Sequence, residues 1–385
     1  MKLSKFLYFY FSFNFLLLCC QAPEEIIPKQ KNILQKNKEI KYAKRFTIIY
    51  SNNLTQVCLF GNKNNLDTTA KFYIYKTGNN LKVNSKNNFF IKSPCNKIVV
   101  LSSIYSSMLC ELNCINSISA IDNIDYVNNP QIIKKQRLNQ IIELSKGPQI
   151  DLEKTITLFP DIIFTFGTGE GEKNNNKKLN QTGIPIAIIL DHLESSPLAR
   201  AEWIKFFAAF VNKKELADSI FNQIEKNYLE LKFIAKNSNF KPSVFSEIKY
   251  SDAWYVPGGN SYVAQLIDDA NANYIWSKNK NTGSFPLSFE QVFAQANDAD
   301  YWINLSSIKT KKELLGFDNR YKEFNAFKVG NLYNNNKNTN ALGYSSYWET
   351  GMIYPNKILN DLILIFHPEL INLINNKLTF YKKIN

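Results

Sequence analysis

The sequence has only two histidines, His192 and His367, among 385 residues. Metal-dependent hydrolases hold their ion with clustered histidines and carboxylates, so this scarcity argues against such an enzyme. A G-x-S-x-G elbow, an H-E-x-x-H helix and a Walker loop are also lacking. The run Gly167-Thr168-Gly169-Glu170-Gly171 follows a predicted strand, but its third glycine is misplaced for a dinucleotide fingerprint. We therefore predict no catalytic residues, no cofactor and no bound metal, and a protein that is not an enzyme.

The N-terminal apolar run, Phe6 to Leu18, is shorter than the about 20 residues that a membrane-spanning helix needs. Lys2 and Lys5 precede it and polar residues follow it, a layout typical of an export signal. The sequence Leu17-Leu18-Cys19-Cys20 resembles a bacterial lipobox. Cys20 fits better than Cys19 because a small residue, and not the bulky Leu18, then precedes the modified cysteine. We predict a signal peptide over residues 1–20 and lipidation of Cys20, which attaches the chain to a membrane without a spanning segment. The alternative is an ordinary secretory signal with incidental cysteines.

Beyond the Cys19-Cys20 pair the chain has four cysteines, Cys58, Cys95, Cys110 and Cys114. The last two are spaced Cys-x-x-x-Cys within an apolar helical pattern, and only two histidines could complete a zinc site. Small buried side chains are the favoured interpretation, with a disulfide as the alternative in an oxidising compartment.

The charge balance is 46 basic against 33 acidic residues, a formal net charge of +13. The lysines are scattered among asparagines without an arginine-rich stripe, and an exported protein does not meet nucleic acid. We predict no nucleic-acid binding and interpret most of this charge as solvated loop surface, with a long-range attraction for anionic ligands.

The mature chain is too long for one core, and its pattern predicts an α/β protein of two lobes. A polar tether is expected over residues 21–41, followed by a small β meander over residues 42–92. The meander is predicted to have three strands, Phe46 to Ser51, Gln56 to Phe60 and Lys71 to Tyr75. An α/β lobe over residues 93–198 contains apolar strands such as Pro160 to Phe166, which are typical of parallel sheets.

Residues 199–236 form a long helical pattern without proline or glycine. We predict one rigid helix that connects the lobes, because 1.5 Å per residue gives a length of roughly 50 Å. The strand and helix alternation then resumes in a second α/β lobe over residues 237–385.

The order of these segments resembles class III periplasmic binding proteins, which serve ABC importers for iron chelates and cobalamin. The resemblance covers about Lys41 to Leu370 and rests on segments such as DLEKTITLFPDIIFTFG, AWYVPGGNSYVAQLIDDANANYIW and SFEQVFAQANDADYWI. It implies two Rossmann-like lobes and a ligand cleft between them.

The resemblance also implies that one acidic residue of each lobe docks on basic residues of the importer. Glu153 in DLEKTI and Glu290 in SFEQVF occupy those positions. Exposed carboxylates can steer association and fix its register against arginines. Both glutamates are also favourable in the first turn of a helix, where the helix dipole stabilises negative charge.

Loops after the carboxyl ends of the strands are expected to line the ligand cleft, among them Asp122 to Tyr126 on the first lobe and Asn338 to Trp348 on the second. Their aromatic residues suit a bulky, partly planar chelate, and an arginine suits its anionic oxygens. The alternative is that Trp203 or Trp254 caps a lobe core and that Arg200 caps a loop or pairs with Glu202. The predicted ligand-binding residues are Tyr105, Arg200, Trp203, Trp254, Tyr255, Tyr347 and Trp348.

We therefore predict a monomeric lipoprotein, held at the periplasmic or outer face of a membrane by its lipid, that delivers an iron chelate to an ABC permease. Cobalamin or haem is the nearest alternative cargo. A surface hydrolase or an adhesion lipoprotein are rival interpretations, and the adhesion protein would lack a deep cleft.

Overall fold

A computed structural model describes residues 39–61, 68–76, 87–145, 150–167, 179 and 182–385. The predicted signal peptide with Cys20, most of the tether and most of the glycine-rich run after Gly167 lie outside these residues. Among the described residues, no helix combines the length and apolarity that crossing a membrane requires.

The N-terminal meander has four strands: β1 Phe46–Tyr50, β2 Leu54–Phe60, β3 Thr68–Tyr75 and β4 Asn88–Lys92. They pair in sequence order, antiparallel except that β4 runs parallel to β3. Alternate residues, such as Phe46 and Ile48, are buried on one face, as a half-covered sheet requires. The sequence pattern predicted three strands, and β4 was not among them.

The first lobe is built on a parallel sheet of β5 Ile98–Val100, β6 Ile118–Ile121, β7 Ile142–Glu143, β8 Ile162–Phe166 and β9 Ile186–Ile189. The strand order β7-β6-β5-β8-β9 is that of a doubly wound fold. Its helices are α1 Ser103–Glu111, α2 Pro130–Arg137 and α3 Leu152–Thr157.

The predicted single connecting helix is wrong, because the segment forms two helices, α4 Pro197–Val211 and α5 Lys214–Ala235. Asn212 ends α4 with φ 54°, a left-handed conformation that asparagine tolerates better than most residues. At 22 residues, α5 is about 33 Å long. It is this helix that spans the two lobes: Glu225 pairs with Lys41 at 3.0 Å, and the Tyr228 hydroxyl donates to Asp269 at 2.6 Å.

All fifteen residues of α4 are buried, because the helix is packed between the meander and the first sheet. The Trp203 ring lies 4.6 Å from Phe46 of the meander, and Phe207 lies 4.9 Å from Phe164 of the sheet. The meander therefore extends the core of the first lobe.

The second lobe contains a sheet of order β13-β10-β15-β16-β17 and a small antiparallel sheet of order β11-β12-β14. In the larger sheet only β17 is antiparallel to its neighbour. The strands are β10 Ser243–Ser246, β11 Lys249–Tyr250, β12 Ala253–Pro257, β13 Asn273–Tyr274, β14 Ser284–Leu287, β15 Tyr301–Ile303, β16 Leu332–Asn334 and β17 Lys382–Lys383. The helices are α6 Tyr262–Asp269, α7 Phe289–Ala296, α8 Lys311–Phe317, α9 Asn325–Val329, α10 Thr350–Ile353 and α11 Pro355–Phe366. The predicted α/β class with two sheet-containing lobes is confirmed.

Candidate ligand cleft

Each large sheet has a switch point where adjacent parallel strands lead into connections on opposite sides. In the first lobe these strands are β5 and β8, and in the second lobe β10 and β15. Ligands of open α/β sheets bind beyond the carboxyl ends of such strands. The residues at these ends are Leu101 and Gly167 in the first lobe and Glu247 and Asn304 in the second.

Residues 338–349, here called the bridging segment, extend from the second lobe to the first. The Asn340 side-chain amide donates to the carbonyls of Asp125 at 2.7 Å and Val127 at 3.2 Å. The buried Glu349 carboxylate accepts from the Ser107 hydroxyl at 2.5 Å and the Asn128 amide at 2.6 Å. Burial raises the pKa of Glu349, although these hydrogen bonds oppose the shift. Two loops that we predicted on opposite sides of the cleft thus contact each other directly.

Exposed aromatic rings lie on and beside the bridging segment. Tyr344 meets Tyr126 edge to face at 4.7 Å, which joins the two lobes. Trp348 is 47% exposed and packs edge to face on Tyr347 at 4.8 Å. Tyr255, on β12, is 50% exposed. Of the seven predicted ligand residues, Tyr255 and Trp348 therefore offer accessible rings.

Arg200, Tyr105 and Tyr347 belong to a buried polar chain that links the lobes. The Tyr105 hydroxyl donates to Asp191 at 3.1 Å, and the Arg200 guanidinium pairs with the other oxygen of Asp191 at 3.1 Å. The same guanidinium lies 4.7 Å from the ring centre of Tyr262 in α6, and the Tyr262 hydroxyl donates to Tyr347 at 3.4 Å. Arg200 has an internal carboxylate partner, so the structure favours a structural role for it over direct recognition of anionic oxygens. The partner is Asp191 and not Glu202, which the alternative interpretation had named.

Trp203 and Trp254 have no exposed surface, which corrects the expectation that they face a ligand. Trp203 is enclosed by Phe46 and Phe206, and Trp254 packs at tilted and edge-to-face angles among Phe245, Trp302 and Tyr321. Both indoles support lobe cores, as the alternative interpretation held.

Glu247 was not among the residues predicted from the sequence. It follows β10 directly, is partly exposed, and lies beside Asn304, which follows β15. Burial raises the pKa of Glu247 to about 8, while the neighbouring Asn304 side chain opposes the shift. Its place immediately after a buried strand was the one signal that could have pointed to it.

The two predicted docking glutamates are exposed and lie in the first turns of α3 and α7. Asp151 caps α3, and Ser288 caps α7 through a reciprocal pair with Gln291. The Glu290 carboxylate is 74% exposed and receives Arg320 at 3.2 Å. Hydrogen bonds from its own amide and from Ser288, together with Arg320, lower the pKa of Glu290.

The four cysteines beyond the signal are free, and Cys58, Cys95 and Cys114 are buried, whereas Cys110 is half-buried. Burial is the main cause that raises the pKa of the Cys110 thiol to about 12, so this thiol is unreactive. Within the described ranges, no three His, Cys, Asp or Glu side chains are grouped as metal ligands would be.

Residues 98–339 match the family model described as periplasmic binding protein, which is more than half of the chain. The chain belongs to the periplasmic binding protein family. The match begins at the first residue of β5 and so omits the meander. Members of this family bind substrates for transport and are not enzymes.

Known relatives of this periplasmic binding protein share its sequence pattern, and solved structures share its fold. An uncharacterized lipoprotein of Methanocaldococcus jannaschii is 29% identical, over 92% of this chain and 87% of the relative. A candidate iron-binding (periplasmic solute-binding) protein of Staphylococcus epidermidis superimposes with TM-score 0.56 at 15% identity, over 71% of this chain and all of that one. The vitamin B12 binding protein BtuF of Vibrio cholerae superimposes with TM-score 0.53 at 13% identity, over 71% and 97% of the two chains. At these identities the solved structures show the fold alone.

Proposed function

We propose that this protein is the solute-binding lipoprotein of an ABC importer and that it captures an iron chelate between its lobes for delivery to the permease. The observation that carries the proposal is the pair of switch points, one in each lobe, with exposed aromatic rings beside the segment that joins the lobes. Lipidated Cys20 would hold the protein at the membrane, and the lipoprotein name of the archaeal relative supports this part.

The cargo assignment rests on chemistry and on the fold. Flat, exposed rings such as Tyr255 and Trp348 suit a bulky chelate with planar parts. The fold is shared with a candidate iron-binding protein, which favours an iron chelate, and with a vitamin B12 binding protein, which keeps cobalamin as the alternative. Haem is the third cargo to test.

Tryptophan fluorescence tests the cargo, because all five tryptophans lie in described residues and only Trp348 is exposed. We expect a ferric siderophore to quench the emission, and we expect Trp348→Phe to remove at least half of that quenching, because the other four indoles are in cores. Titrations with ferric siderophores, haem and cobalamin would rank the candidates. The absence of quenching and of calorimetric heat with all three would contradict the proposed cargo.

Charge reversal of the docking glutamates should separate binding from delivery. Glu153→Lys and Glu290→Lys are each expected to lower uptake at least tenfold while the affinity for the chelate stays unchanged, since opposed like charges repel at an interface. Uptake by cells or by vesicles containing the importer measures the first quantity, and calorimetry measures the second.

Glu215→Lys is the matched control, because Glu215 is also an exposed first-turn glutamate, in α5. It should transport normally. Normal transport by both Glu153→Lys and Glu290→Lys would rule out the docking role.

A further inference from the structure

Glu247 and Asn304 lie side by side at the switch point of the second lobe in unusual backbone conformations. Glu247 follows β10 with φ 68°, and Asn304 follows the adjacent β15 with φ 58°. Residues other than glycine adopt such left-handed conformations at a cost in free energy, and they are concentrated at binding sites. Two of them on neighbouring strand ends mark this place as specialised.

The backbone of Glu247 is held by hydrogen bonds on both sides. Its amide donates to the carbonyl of Ile303 at 3.1 Å, and its carbonyl accepts from the Trp302 indole at 2.7 Å. The strained conformation is therefore imposed by the core, and it sets the direction in which the side chain leaves the strand.

The surroundings of the carboxyl group are polar but contain no cation. Asn304 lies beside it: the Asn304 side-chain oxygen accepts from the Tyr381 hydroxyl at 2.7 Å, and its side-chain amide is buried without a hydrogen-bond partner among the described residues. Tyr262 from α6, Tyr274 from β13 and Tyr381 from the C-terminal segment are the titratable groups near enough to interact with its charge. Among the described residues, no lysine, arginine or histidine forms an ion pair with Glu247, and Arg200, beyond Tyr262, is already paired with Asp191.

We propose that Glu247 is a subsite of the ligand cleft that binds a protonated amine of the solute. A partly exposed carboxyl group without an internal cation, at the strand ends where ligands bind, is complementary to an ammonium group. The inference rests on the proposed function and deepens it, since it names a chemical group of the cargo.

The competing explanation is that the protonated carboxyl group only packs beside the buried Asn304 side chain and binds no group of the solute. Binding of an ammonium group distinguishes the two, because it requires the ionised carboxylate and so displaces a proton. The pKa of Glu247 is about 8, and the pKa values of Tyr262, Tyr274 and Tyr381 are raised above 10, so Glu247 is the group that titrates here near neutral pH.

The test uses butylammonium as the probe and 1-butanol as its neutral analogue, with the mature protein. Carbon-13 NMR of labelled glutamate carboxyl groups follows Glu247, whose signal is assigned by its loss in Glu247→Gln. We expect butylammonium affinity to rise about tenfold per pH unit between pH 6 and 8 and to level off above pH 8, because only the carboxylate binds. Saturating probe should lower the pKa of Glu247, and 1-butanol should not change it.

Glu247→Gln should lower the affinity for butylammonium at least tenfold at pH 8.5 and remove the pH dependence of that affinity. Gln resembles the protonated carboxyl group, so the fold should persist, and circular dichroism checks this. Asp252→Asn, an exposed change of equal charge in the same lobe, should behave as the wild type. A pKa of Glu247 that does not respond to butylammonium, or equal affinity in Glu247→Gln, would overturn the proposal.

A second pair of probes separates this inference from the cargo assignment. We expect a ferric hydroxamate chelate with a free ammonium group to bind at least tenfold more tightly than its N-acetylated form, and Glu247→Gln to abolish the difference. If neither chelate binds while butylammonium still lowers the pKa of Glu247, the iron-chelate proposal fails and the amine subsite stands. Equal binding of both chelates overturns the subsite and leaves the cargo intact.

Discussion

Replacement of Glu202 by alanine is expected to lower the free energy of unfolding by about 4 kcal/mol. The Glu202 carboxylate has no exposed surface and accepts the backbone amides of three consecutive residues, Lys41 at 2.8 Å, Tyr42 at 2.8 Å and Ala43 at 2.9 Å. Alanine would leave these donors without an acceptor where the chain enters the folded body. Urea unfolding at neutral pH, followed by circular dichroism, measures the change.

Two further variants make this expectation specific. Glu202→Gln keeps one acceptor oxygen and should cost about half as much, whereas Glu215→Ala, an exposed change, should stay within about 0.5 kcal/mol of the wild type. A loss below about 1 kcal/mol in Glu202→Ala would show that water or a rearranged backbone satisfies the three amides.

Glu202 also explains how the predicted tether meets the folded body. Glu194, likewise buried, accepts the next two amides, of Lys44 at 3.0 Å and Arg45 at 3.1 Å. Five successive residues are thus held by two carboxylates just before β1. Under the proposed function this attachment fixes one end of the tether that leads back to Cys20.

The fold class was predictable because its signals are local. Buried parallel strands such as β8 are continuous apolar runs, and β3 of the meander alternates buried and half-buried positions. The order of the strands and helices along the chain then restricts the fold to a few topologies. The fourth strand of the meander was not predicted, because its five residues, NFFIK, follow an asparagine-rich stretch and do not alternate between buried and exposed positions.

Features that depend on contacts between distant residues were not predictable. The break at Asn212 carries no proline or glycine, and it is the packing of α4 under the meander that requires a turn there. The same packing buries Trp203, which a sequence pattern can place on a helix but not under a particular sheet. The left-handed conformation of Glu247 likewise depends on Trp302 and Ile303, more than fifty residues away.

Replacement of Arg200 by methionine is expected to cost about 4 kcal/mol of stability, because it removes one partner of a buried ion pair. The side chains of Arg200 and Asp191 are 8% and 5% exposed, so Asp191 would keep a buried charge that, among the described side chains, receives a hydrogen bond from the Tyr105 hydroxyl alone. The double variant Arg200→Met/Asp191→Asn should be more stable than the single Arg200 variant by about 2 kcal/mol or more, since it removes the orphaned charge. A double-mutant cycle by urea unfolding gives the coupling, and additive losses would contradict the pairing.

The same double variant decides whether Arg200 also contacts the solute, as predicted from the sequence. If the role of Arg200 is purely structural, it affects ligand binding only by fixing the positions of the Asp191 and Tyr262 side chains. The affinity for the chelate should then recover together with the stability in the double variant. An arginine that contacts anionic oxygens would leave the double variant stable but at least tenfold weaker for a tris-catecholate chelate, with little change for a neutral hydroxamate chelate. We expect the chelate affinity to recover in the double variant, because the Arg200 guanidinium already has a carboxylate partner at 3.1 Å and lies against the Tyr262 ring.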